Sequence, residues 1–219
     1  TAKKTQAIEA PPGEDAPADE SGQTVSKITA TRGVLWSAGH ENGTLNEWWS
    51  QDGGGIFNTG TGAASVSTAV AHSGRYSARL DITGAANNTQ AVRLFRWAES
   101  SDLREAYYSA WFYFPQHYTT GRWWNIFQFK SRPDDRDDSA PTWTVNVGNR
   151  PSGAMYLYLW GALKGRSYSQ DSMDLPEQRW VHIEAYFRRS ARNDGAIRVW
   201  QDGVLLWEIF GVKTAIGGN

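Results

Sequence analysis

A chain of 219 residues is long enough for one large β-domain with a full core, and the absence of cysteine excludes both a disulfide-stapled small fold and a thiolate metal centre. The formal net charge of -1 gives no overall pull toward nucleic acid or anionic lipid, and no apolar run reaches the roughly 18 residues of a membrane span. Twelve tryptophans against eight phenylalanines are more indole than an apolar core needs, and the flat indole face is what sugar rings stack on.

Residues 1–30 read as an acidic, Pro-rich tether, in which Pro11, Pro12 and Pro17 are interleaved with Glu9, Glu14, Asp15, Asp19 and Glu20 and nothing aromatic is available to bury. Within it, Thr24 to Thr31 is weakly strand-like. The chain opens at Thr1 without a charged start and apolar stretch, as expected of a secreted or extracellular product whose address signal has been removed. The domain proper is expected over 31–219. Strands are predicted at Ala64–Val70, Tyr76–Ile82, Gln90–Trp97, Ala106–Phe114, Trp124–Lys130, Thr142–Val147, Met155–Trp160, Trp180–Arg188, Ala196–Trp200 and Val204–Phe210. Asn193-Asp194-Gly195 and Gln201-Asp202-Gly203 read as tight hairpin turns, because Asp-Gly tolerates the positive φ such turns require. Many short strands without a long amphipathic helix predict an all-β sandwich of two antiparallel sheets.

Side chains alternate across a strand, so each segment divides into two faces. Val181, Ile183, Ala185 and Phe187 form a core face against His182, Glu184, Tyr186 and Arg188. Met155, Leu157 and Leu159 oppose Tyr156, Tyr158 and Trp160; Phe127 and Phe129 oppose Ile126, Gln128, Lys130 and Arg132. Trp143, Val145 and Val147 oppose Thr144 and Asn146, and Val92 and Leu94 oppose Arg93 and Phe95. The second faces mix rings with planar hydrogen-bonding groups, which suits a ligand trough better than a merely solvated surface. All of these second faces are expected to meet in one concave site.

The runs Gly74-Arg75-Tyr76-Ser77-Ala78-Arg79-Leu80, Tyr107-Tyr108-Ser109-Ala110-Trp111-Phe112-Tyr113-Phe114-Pro115, Asn125-Ile126-Phe127-Gln128-Phe129-Lys130, Arg179-Trp180-Val181-His182-Ile183-Glu184 and Arg198-Val199-Trp200-Gln201-Asp202-Gly203 carry a resemblance. Together they resemble the jelly-roll polysaccharide lyases, the heparin lyase I-like and glucuronan lyase-like group. The resemblance implies a concanavalin A-like β-jelly-roll and β-elimination on a uronate-containing, hence acidic, polysaccharide. That chemistry needs a group to neutralise the uronate carboxylate, a base for the C5 proton and an acid for the leaving oxygen. Arg93, Gln128, Lys130 and Asn146 are the candidates for the carboxylate, His182 for the base, and Tyr156, Tyr158 or Tyr186 for the acid. Trp160, Glu184 and Arg188 are expected to contact sugar beside them. These lyases also carry a late-strand tyrosine, and no Tyr follows Tyr186 in this chain.

No cofactor is expected. A structural calcium is weighed at Glu41 in His40-Glu41-Asn42-Gly43, and again at Asp134-Asp135-Arg136-Asp137-Asp138, where interleaved arginine favours a solvated loop. Glu41 with Glu47, or Glu177 with Glu184, would be the carboxylate pair of a glycosidase. The competing reading from another class is a non-catalytic glycan-binding or adhesive sandwich. A third is a structural subunit that self-associates through an open sheet edge, with Thr24 to Thr31 as the donated strand.

Overall fold

The computed structural model describes residues 2–6 as backbone, and 33–49, 53–84, 90–97, 103–121, 123–132 and 139–217. Thr24 to Thr31 and the Asp134 to Asp138 run lie outside the described residues. Thirteen strands occur among those described: β1 Ala2–Gln6, β2 Gly54–Thr59, β3 Gly62–Ser67, β4 Ser77–Ile82, β5 Ala91–Arg96, β6 Glu105–Tyr113, β7 Trp124–Ser131, β8 Ala140–Asn149, β9 Met155–Gly161, β10 Arg166–Tyr168, β11 Trp180–Arg188, β12 Gly195–Gln201 and β13 Val204–Val212. Only short 3-10 turns, Asn46–Trp48 and Ala162–Lys164, interrupt them.

The strands make a larger sheet in the order β13-β12-β11-β6-β1-β4-β3, a smaller one in the order β10-β9-β8-β7, and a ribbon β2-β5, with every pairing antiparallel. Strands β7 to β10 are one unbroken meander, inserted in the chain between β6 and β11, which are neighbours in the larger sheet. No backbone ladder joins β5 to β7 among the described residues.

Alternation explains how the layers close. In β9 the burial alternates residue by residue, with Met155, Leu157 and Leu159 inward, and in β11 Val181, Ile183, Ala185 and Phe187 are inward. These two apolar faces meet with Phe129, Trp143, Val145 and Val147 on one side and Ala110, Phe112, Ile197 and Val199 on the other, forming a single core. Phe129 of β7 stacks on Phe187 of β11 with centroids 4.2 Å apart and planes 2° from parallel, so the two sheets pack face to face. The result is an all-β jelly-roll sandwich.

Two local expectations need correction. Asp202 (φ 50°) and Gly203 (φ 81°) form the expected tight turn between β12 and β13, both in the left-handed region. The Asn193-Asp194-Gly195 segment instead ends a longer loop from Arg189 to Asp194, in which the Ser190 hydroxyl donates to Asp194 and the Thr214 hydroxyl accepts the Ser190 N–H at 2.7 Å. In β7 the register shifts between Asn125 and Phe127, which turns Ile126 toward the core with Phe127 rather than outward with Gln128.

Candidate functional site

The outward face of the smaller sheet is built in rows. Gln128 of β7 lies opposite Thr144 of β8, which lies opposite Trp160 of β9; Asn125, Asn146 and Tyr158 form the next row, and Gly148 and Tyr156 the one beyond. Lys130 follows Gln128 on the same side of β7. The bulge in β7 is what brings Asn125 to this side, where its Oδ1 accepts from Gln128 Nε2 at 3.3 Å.

Ribbon β2-β5 carries the face further. Arg93 stands opposite Phe57, and its guanidinium lies 5.4 Å from the Phe57 ring centroid. Arg132, just after β7, lies 5.6 Å from the centroid of Trp97, just after β5, so the two strands end side by side. Burial and then the positive charge of Arg93 hold the Lys130 ammonium below its ordinary pKa. Burial alone lowers Arg93 from an ordinary value far above neutrality, and it remains a cation. Burial, followed by the neighbouring Tyr156, raises the Tyr158 phenol.

The floor of this face is polar yet closed. Asn146 is 2% exposed and its amide donates to the Thr144 carbonyl and hydroxyl at 3.0 Å each, so Asn146 holds the floor in register instead of reaching a ligand. Gly148 leaves room for the tyrosines. A Cβ there would stand 3.0 Å from Tyr156 Cε1 and 3.3 Å from Tyr158 Cδ1, so Gly148→Val is expected to push both rings off the sheet. Overpacking of this kind costs about 1–3 kcal/mol, which equilibrium urea unfolding should read as a lowered midpoint. Arg150 fixes Tyr156 from the other side: its guanidinium lies 4.6 Å from the ring centroid and donates to Asp174 at 2.5 Å and Asp171 at 3.0 Å.

The structure divides the sequence-predicted residues between two surfaces. Arg93, Gln128, Lys130, Asn146, Tyr156, Tyr158 and Trp160 share the face just described. His182, Glu184, Tyr186 and Arg188 project from β11 on the far side of the larger sheet, with the whole core between the two sets. The expectation of one shared trough is thereby corrected. Alternation separates inward from outward but does not say which sheet a strand joins, and β9 and β11 join opposite ones.

On that far surface the rings serve each other. Trp111 is sandwiched between His182 (4.4 Å) and His72 (3.9 Å), and Tyr186 donates to Glu105 while tilting on Tyr107. Burial pushes His182 below its ordinary pKa of 6.5, against the opposing pull of Glu184 and Asp202. The fold therefore favours the neutral imidazole. The contribution to stability is present above pH 6.5 and lost as pH falls below it toward the lowered folded pKa. Urea titrations at a series of pH values should show that loss in the native chain and a smaller one in His182→Phe; equal slopes below pH 6.5 would contradict it.

The carboxylates offered for other chemistries are engaged in local structure. Glu47 accepts the His40 N–H at 2.5 Å and the Gly39 N–H at 3.4 Å, and Glu41 accepts the Arg75 N–H at 2.8 Å. Glu177 pairs with His117 at 3.0 Å, and Glu184 lies on the far surface. Strands β5 and β7 to β9 themselves contain no Asp or Glu at all. Sequence reading passed over Gly55, Phe57 and Thr144, which help build this face. Thr144 was visible as an outward position, whereas glycine-rich β2 gave no alternation to read.

Comparison with known proteins agrees with this architecture. No curated protein matches the chain. Among solved structures, an endo-β-1,4-glucuronan lyase from the fungus Trichoderma reesei superposes with a TM-score of 0.59 at 17% identity, covering 81% of this chain and 76% of that one. At that identity the likeness shows the fold. The family model described as polysaccharide lyase matches residues 40–218, which span β2 to β13 and every residue of the face described above, and the chain therefore belongs to the polysaccharide lyase family.

Proposed function

We propose that the face of β5, β7, β8 and β9 binds a uronate-containing polysaccharide and cleaves it by β-elimination. The observation that carries this reading is Arg93 lying close enough to Lys130 for its charge to act on the ammonium, two cations on strands free of carboxylates. An anionic polymer meets attraction there and no repulsion from the strands themselves. Arg93 and Gln128 neutralise the uronate carboxylate, which acidifies the proton at C5. Lys130 Nζ, in its neutral form, takes that proton, and the freed electron pair forms the C4=C5 bond as the C4–O bond breaks. The leaving oxygen takes the proton of the Tyr158 hydroxyl. Trp160 offers a ring for an adjoining sugar.

The resulting pH profile follows from the two shifts. Turnover rises as pH climbs through the lowered pKa of Lys130 and falls once Tyr158, raised by burial, gives up its proton. The deciding experiment incubates the chain with a panel of acidic polysaccharides and follows the ultraviolet absorbance of the conjugated, unsaturated uronate ends. Growth of that absorbance on at least one polymer is expected. Retention of glycan with no such product from any of them would make the domain a binding module.

A polymeric substrate is met outside the cell, so the reading includes a secreted or cell-surface location. Self-association through an open sheet edge belongs to the same reading; a monomer at every dilution in light scattering removes that part.

A further inference from the structure

We infer that Trp49 is a sugar-stacking platform that extends the ligand-binding face past ribbon β2-β5, binding a pyranose ring several units from the bond that is cut. This rests on the glycan-binding reading of the face of β5 and β7 to β9. Trp49 is 60% exposed, an unusual state for so large a ring, and it is seated on Gly55 of β2. A Cβ on Gly55 would lie 2.8 Å from Trp49 Cζ3, 3.0 Å from Cε3 and 3.1 Å from Cη2, so the benzenoid part of the indole packs down on the glycine. Gly55, with φ 141°, holds a backbone conformation that side chains rarely adopt, so both the seat and the strand path favour glycine.

The position on the sheet gives the platform its direction. Gly55 and Phe57 alternate onto one face of β2, and Phe57 stands opposite Arg93. Phe57 is itself 45% exposed, with the Arg93 guanidinium over its ring. From Trp49 the surface therefore runs through Phe57 and Arg93 toward Lys130, Gln128, Thr144 and Trp160, a path across the strands. The two ends of that path are indoles, and the cations lie between them. Stacking on Trp49 needs only the C–H face of a pyranose, so it adds affinity for chain length and not for charge.

Calorimetric titration with 1,4-linked hexuronate disaccharide and with longer oligomers of the same sugar reads this directly. Trp49→Ala is expected to bind the long oligomers about tenfold more weakly, with a smaller loss for the disaccharide, and Trp49→Phe to recover part of the difference. Because the ring is mostly exposed, the variants are checked for an unchanged melting temperature. Equal affinity of Trp49→Ala and the native chain at every oligomer length overturns the inference, as does a loss independent of length. The lyase reading fails separately: a chain that yields no unsaturated product but binds oligomers in a Trp49-dependent, length-dependent way keeps the platform and loses the elimination chemistry.

Discussion

Replacement of Trp143 by alanine is expected to remove most of the stability margin of the domain. Trp143 is 1% exposed on the inward face of β8, opposite Phe129 on one neighbour and Gly161 on the other. Gly161 is small for its sake: a Cβ there would stand 3.0 Å from Trp143 Cη2 and Cζ3. The indole Nε1 donates to the Lys213 carbonyl at 3.0 Å, which ties the segment after β13 to the smaller sheet. Truncating a fully buried tryptophan costs about 3–5 kcal/mol through lost transfer energy and the cavity left behind. The lost hydrogen bond adds about 1 kcal/mol. Against a total of about 5–15 kcal/mol for an ordinary domain, that is enough to leave a substantial unfolded fraction on mild warming. Equilibrium urea unfolding checks it. Trp143→Phe should recover most of the loss by refilling the space and leave the hydrogen-bond share missing. A midpoint for Trp143→Ala close to the native one would mean that the two sheets do not pack through this ring.

The second large effect concerns Lys130. Lys130→Gln keeps a hydrogen-bonding side chain of similar reach but has no basic nitrogen, and turnover on the cleaved polysaccharide is expected to fall by roughly 10²–10⁴-fold. Under the proposed mechanism binding should weaken much less, because Arg93 and Gln128 would still meet the carboxylate. The rising limb of the pH profile should vanish along with the amine, whereas a lysine that only attracts the polymer would leave the shape of the profile unaltered. Retention of more than about a tenth of native turnover by Lys130→Gln would assign the base to another group.

Much of this architecture is legible in the amino-acid order. Strand β11 occupies the predicted Trp180–Arg188, and β9 differs from its predicted span by one residue, because both have strict alternation of large apolar and polar side chains. Alternation fails where there is no side chain to alternate: β2, which starts Gly54-Gly55, is missing from the predicted strands although it supplies the seat of Trp49 and the partner of Arg93. Strand β10 is three residues long, too short for any period to register. The bulge in β7 reverses the parity of Asn125 and Ile126, a local event that spacing alone cannot foresee.

The division of the site residues has a deeper cause. His182 sits in a strand whose pattern is as regular as that of Tyr158, and each points away from the same core. Facing away from a core has two directions in a two-layer molecule, and only the pairing of β11 with β6 and of β9 with β8 decides between them. Long-range pairing is the part of a sandwich that no short window contains.

The insertion of β7 to β10 between β6 and β11 also bears on how the molecule is made. Zipping β6 onto β11 requires the polypeptide to close a loop from Phe114 to Arg179, and closure entropy grows with the length of slack chain. A meander that has already formed within that loop takes up the slack, so early hairpins in 124–168 should speed the later closure of the wide sheet. Until that closure, the inward row of Val181, Ile183 and Ala185 stands uncovered, and recovery from denaturant should depend on protein concentration more than on final stability.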